Sequence, residues 1–166
     1  IGAALPGGSA PGFEATKFWS AAARRAATGQ ALAQLIEPST RALSFSASLL
    51  EDMAVPLLAH SVGTRYGEVL DAWHHGDGNL YLLESSEFGW SHPEVASWLC
   101  SAWHLPEALS EAIAAHHPDE GQSDLYCPIA VRLAACLGEE PGQGRDELLS
   151  LARSECGLSE DRTIEV

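Results

Sequence analysis

Apolar residues recur along this chain every three or four positions and almost nowhere every two. Phe18, Ala22, Ala26 and the run from Leu32 to Ile36 keep one helical stripe from Phe13 onward, until Glu37-Pro38 interrupts it. A second helix is predicted over residues 39–53, with Ala42, Phe45 and Leu49 on one stripe and Leu43, Ala47 and Leu50 beside it; Pro56 ends or kinks it. Shorter helices are predicted near 55–62, 64–73 and 80–88, the second closed by Gly76-Asp77-Gly78 and the third by Gly89. Ser91-His92-Pro93-Glu94 has the signature of a capping box, with Ser91 as N-cap and Glu94 reaching back to it. Pro93 falls in the first turn, where its missing N–H costs nothing. That helix is predicted to run to about Trp103, and His104-Leu105-Pro106-Glu107 opens another that ends at His117-Pro118. Helices at 125–137 and 146–155, separated by a loop at 138–144, complete the pattern. With no stretch of period two there is no sheet to expect, and the fold class predicted is all-α, an irregular bundle of eight or nine helices.

Composition agrees with the pattern. Ala and Leu dominate while Val and Ile are sparse, a mixture that favours helix over strand. At 166 residues with 46% hydrophobic content the chain can bury one core. Its division is expected to be a flexible Gly/Pro/Ala/Ser-rich leader at 1–12, a helical domain at 13–157 and an acidic, solvated tail at 158–166. The leader lacks the basic start of a signal peptide, and no apolar run reaches the roughly 18 residues of a membrane span.

Charge narrows the partners. Twenty-three acidic residues face nine Lys plus Arg, for a formal net of -14, which would repel nucleic-acid backbones and anionic membranes. Arg24-Arg25 is the only adjacent basic pair, and a helical reading puts it on a solvated face. Neither nucleic acid nor membrane is expected as a partner. Cys100, Cys127, Cys136 and Cys156 have no CxxC spacing, so a reducing, cytoplasmic setting is the simpler expectation.

One region carries a denser fingerprint. Glu84, Phe88-Gly89, His92-Pro93-Glu94-Val95, Leu99 and Trp103-His104-Leu105-Pro106 are followed by His116-His117-Pro118. Upstream lie Phe18-Trp19 and the segment Phe45-Ser46-Ala47-Ser48-Leu49-Leu50-Glu51-Asp52. In this order the pieces resemble the HD-related output domain (HDOD) of bacterial signalling proteins, over roughly Phe18 to Leu137. The resemblance implies an HD-like helical domain with a regulatory, protein-interaction role, meeting other signalling proteins or a second copy of itself. The family normally has several helices before the Phe-Trp position, so the resemblance also implies a truncated chain.

Departures from the pattern bear on function. In the wider HD superfamily a His-Asp doublet binds divalent metal and an earlier His completes the set. Here the doublet is Glu51-Asp52, and the earlier position, two residues after Trp19, is Ala21. Ser48 and Ala54 stand where the family usually has glycines. The residues left to hold a metal are Asp52, His92, His116 and His117, with Glu51 as a further ligand, and together they are read as a vestigial site. Imidazole and carboxylate donors suit Zn, Fe, Mn or Ni. Structural readings compete: His92 bonding a neighbour, His116-His117 favouring a helix dipole, Asp52 meeting a backbone donor.

The rival to a regulatory module is a metal-dependent phosphohydrolase acting on nucleotides or cyclic nucleotides. Such chemistry needs cations for the substrate phosphates, and only Arg132 and Arg65 offer themselves. No catalytic residue and no cofactor are therefore expected, a divalent metal being the sole candidate. His74-His75 is read as an exposed loop, and Trp90, following Gly89 in a turn, as the exposed aromatic for partner contacts.

Overall fold

A computed structural model describes residues 12–117 and 124–164. The helices are α1 (Ala15–Ile36), α2 (Arg41–Leu50), α3 (Ala54–Val62), α4 (Thr64–His75), α5 (Leu80–Phe88), α6 (His92–Ala102), α7 (Glu107–Ala114), α8 (Ile129–Ala134), α9 (Arg145–Cys156) and α10 (Glu160–Ile164), and a single 3-10 turn, Pro38–Thr40, precedes α2. Among the described residues there is no strand.

The long first helix is the spine. Its inner stripe is built of small residues, Ala21, Ala22, Ala26, Gly29 and Ala33, with Phe18 and Leu32 at the ends. That lets α2 lie close along it, burying Ser44, Ala47 and Ser48. Contact is tightest at Gly29, where a Cβ would stand 2.6 Å from the Ser48 hydroxyl oxygen. Ser48 occupies a position where a glycine was expected, and a glycine on the facing helix makes room for it.

Two apolar clusters result. The larger gathers Phe18, Ala47, Leu58, Tyr66, Leu70 and Ile113 with their neighbours. The smaller joins the far end of α1 to α8 and α9 through Leu32, Leu133, Leu148 and Ala152.

The local signals place most boundaries. The capping box forms as expected, the Ser91 N–H donating to Glu94 Oε2 at 2.8 Å. Pro56 does not end the second helix; the chain breaks at residues 51–53, and Pro56 sits in the first turn of α3. The 125–137 segment begins its helix only at Ile129, because Pro128 holds the preceding residues extended. The helix expected to reach His117 stops at Ala114, leaving His116 and His117 on the turn beyond it. Residues 158–166 were expected as a solvated tail, yet Leu158 and Thr163 are buried and α10 forms. The leader, apart from Gly12, lies outside the described residues.

By length and composition alone one helical stretch, Pro38–Val62, could cross a membrane, with mean hydropathy 1.3 over its most apolar window, a candidate the reading of apolar runs passes over. Half of that window is buried within the fold. Glu51 and Asp52 stand in its middle, and Ala47, Met53, Val55 and Leu58 among its apolar residues serve as core.

Candidate functional site

Four elements converge on a buried polar centre. The break after α2 delivers Glu51 and Asp52, the first residue of α6 is His92, the turn after α7 supplies His116 and His117, and α1 contributes Arg25. One ligand atom each from Asp52, His92, His116 and His117 lie within 4.8 Å of one another. The four residues expected to cluster do so.

Two of the three imidazoles are held from behind. His92 Nδ1 lies 2.7 Å from Glu84 Oε2, which also accepts the His92 backbone N–H at 2.6 Å. The Tyr66 hydroxyl donates to the other oxygen of Glu84. His116 Nδ1 lies 2.6 Å from the carbonyl oxygen of Ile113. A carbonyl can only accept, so Nδ1 carries the proton and the Nε2 lone pair of His116 points into the centre. There Asp52 Oδ1 stands 3.2 Å from His92 Nε2 and 3.6 Å from His116 Nε2. Both Nε2 atoms are buried without a well-aligned hydrogen-bond partner. Rings fixed from behind with Nε2 aimed at a shared carboxylate are how metal-ligating histidines are arranged.

The opposite side of the acidic doublet is already occupied. Arg25 Nε meets Glu51 Oε1 at 2.8 Å, Nη2 meets Asp52 Oδ2 at 2.5 Å, and Nη1 donates to the Leu137 carbonyl at 3.2 Å. The basic pair expected on a solvated face is thus turned inward. Arg25 is 6% exposed, and Arg24 donates to the carbonyls of Gly138 and Glu139. The physical reason is the helix stripe: Arg25 lies one turn from both Ala21 and Gly29, on the buried face.

Electrostatics follow from burial and this pairing. Burial alone would raise the Asp52 carboxyl, but Arg25, with help from His92, holds it well below the usual range. Burial prevails at Glu51 and pushes its carboxyl well above that range against the pull of Arg25. Burial would lower His92, yet the Asp52 and Glu84 carboxylates on its two nitrogens push it up to about 9. Burial lowers His116 and, more strongly, His117.

A cavity of about 470 Å³ opens over this centre, lined by Tyr81, Asn79, Gln143, Glu147 and Arg132 among others. Arg132 reaches it already paired with both oxygens of Glu155, at 3.0 and 2.8 Å. Arg65 lies elsewhere, paired with Glu87 at 2.6 Å and resting over Phe88.

The comparisons with known proteins fit this picture. The family model of the HDOD domain matches residues 2–118. The chain belongs to the HDOD domain family. No curated protein matches it. Among solved structures, this HDOD chain is similar to the MmoQ response regulator of Methylococcus capsulatus str. Bath, at 23% identity and a TM-score of 0.61. It is also similar to an HDOD domain protein of unknown function from Geobacter sulfurreducens, at 19% identity and a TM-score of 0.68. Each comparison covers 93% of this chain but only 61% and 58% of those proteins, so the chain spans about three fifths of their length. At these identities the likeness shows the fold.

Within that HDOD fold, Asp52, His92, His116 and His117 are grouped closely enough that they could hold a metal ion, whereas Glu51 is paired with Arg25. Trp90 departs from expectation: it is half-buried, stacked on Phe88 with ring centroids 4.8 Å apart. The exposed tryptophans are Trp19, Trp98 and Trp103, the last two at 59% and 55%. His74 and His75 form the end of α4 rather than a loop, His74 within 3.4 Å of Glu139. Reading the sequence for ligands passed over Arg25 and Tyr66 and gave Glu84 no role. Each is a polar group on an otherwise apolar helical stripe, and that was the available signal.

Proposed function

We propose that this domain is a non-catalytic regulatory module of bacterial signal transduction, acting in the cytoplasm through contacts with other signalling proteins or with a second copy of itself. The observation that carries the reading is the Arg25 guanidinium lying across both Glu51 and Asp52. The acidic doublet that would recruit a catalytic ion is thereby neutralised from within the fold. The cavity above offers a substrate phosphate little: Arg132 is spent on Glu155, while Asp52, Glu147 and Glu155 line the same space. A phosphoryl group needs unpaired cations where its charge develops. Likeness to a chain described as a response regulator supports a signalling context, and the exposed Trp98 and Trp103 on and just after α6 suit protein contacts.

The rival, a metal-dependent phosphohydrolase, draws its support from the two inward-facing Nε2 atoms. The deciding experiment offers nucleotide monoesters and cyclic nucleotides to the purified chain with Mn, Fe, Ni or Zn in turn. The regulatory reading expects no turnover above that of Asp52→Ala. Metal-dependent hydrolysis that this substitution abolishes would establish the rival.

A further inference from the structure

We propose that Arg25 is the resident cation of this centre, taking the charge-balancing place beside Glu51 and Asp52 that a divalent ion would otherwise fill and barring such an ion from the cluster of Asp52, His92, His116 and His117. The inference deepens the regulatory reading, since it gives the physical cause of an inactive centre, and it rests on that reading for the absence of turnover.

Three observations carry it. The guanidinium faces a partner on each nitrogen: Nη2 bonds Asp52 at 2.5 Å and Nη1 the Leu137 carbonyl at 3.2 Å, while Nε lies 2.8 Å from Glu51 Oε1 as an ion pair without an aligned hydrogen bond. It is buried, and it belongs to a group that keeps its charge at any physiological pH. Four potential ligand atoms nonetheless remain on the other side of Asp52, within 4.8 Å of one another. Separations of 3.2 and 3.6 Å from Asp52 Oδ1 to the two Nε2 atoms are close to the edges, about 3.0–3.4 Å, of a coordination polyhedron with bonds of about 2.1 Å. An ion seated there would share one carboxylate with Arg25, two cations facing each other across it in a buried setting. Lastly, Ala21, one turn before Arg25 on the same face of α1, carries only a methyl group and leaves that face of the helix to the guanidinium.

Four potential ligand atoms therefore remain clustered on one side of Asp52, while on its other side a side chain supplies the positive charge.

The test uses the full chain with Zn and Mn salts alone as probes. Metal content by elemental analysis, affinity by calorimetry and Tm with and without metal are compared for wild type, Arg25→Met and the double variant Arg25→Met/Glu51→Gln. The double variant removes the cation together with one of the two carboxylates it serves, so that folding does not depend on the ion. Wild type is expected to hold no stoichiometric metal, with a Tm indifferent to it. Arg25→Met is expected to lose stability in chelator and regain it with Zn or Mn. The double variant is expected to bind one ion per chain at least about tenfold more tightly than wild type, a gain removed by adding His92→Ala. Stoichiometric metal in the wild type overturns the proposal. So does an Arg25→Met chain that metal does not stabilise, or a double variant with no gain in affinity. A wild type that holds metal without hydrolysing phosphoesters defeats the role of Arg25 and leaves the regulatory reading standing; hydrolysis defeats the regulatory reading itself.

Discussion

Glu84 holds three buried polar groups at once. It accepts from the Tyr66 hydroxyl, from the His92 backbone and from the His92 ring, with no exposure to water. Replacing it by alanine strands all three donors, and Glu84→Ala is expected to lower unfolding stability by about 3–5 kcal/mol in urea denaturation, as breaking buried charged networks does. Tyr66→Phe leaves only one lone pair unmet and should cost about 1–3 kcal/mol. His92 adds a pH dependence. Its folded-state pKa is raised to about 9 from the ordinary 6.5, so the stability it contributes is complete below about pH 6.5 and is lost as pH rises toward 9. Tm is therefore expected to fall between pH 7 and 9, and His92→Gln should flatten that slope; an unchanged slope in the variant would assign it to another group. Of these residues the sequence disclosed His92 through its motif and its capping box, both of which are local. The partnership of Arg25 with residues 26 and 27 positions downstream was not legible, because pairing at that distance depends on how α1 meets the end of α2 and not on any spacing within a helix.

At the scale of elements, the α1–α2 seam is set by complementary small residues. Gly29 faces Ser48 so closely that a methyl group at 29 would stand 2.6 Å from the serine hydroxyl oxygen. Gly29→Ala is expected to cost about 1–3 kcal/mol through overpacking, despite the higher helix propensity of alanine. The double variant Gly29→Ala/Ser48→Gly should recover most of that loss. A double-mutant cycle in guanidinium measures the coupling, and simple additivity would show that the two residues do not compete for one space. Ser48 stands where the family usually has a glycine, and Gly29 on the facing helix leaves the space for it, a match visible only from both sides of the seam. Helix starts and stops were better marked in the chain itself. Ser91 and Glu94 announce α6, and Gly76, Gly89 and Gly157 close α4, α5 and α9 in left-handed conformations that glycine adopts without strain. Where propensity misled, proline decided, as at Pro128, which delays α8.

For the whole molecule, internal neutralisation has a direct consequence. If Arg25 supplies the positive charge in the centre, a chelator such as EDTA should leave the Tm of the wild-type chain unchanged within error, whereas loss of a structural ion would lower it by several degrees. Periodicity, composition and caps along the chain sufficed for the all-helical class, most of the boundaries and the candidates Asp52, His92, His116 and His117, because each is written into neighbours a few residues apart. Whether those four meet, that Arg24-Arg25 turns inward, and that Trp90 lies against Phe88 while Trp98 and Trp103 face outward were decided by packing. Contacts between helices distant in sequence are selected by shape and by the cost of burying charge, and a one-dimensional pattern carries neither.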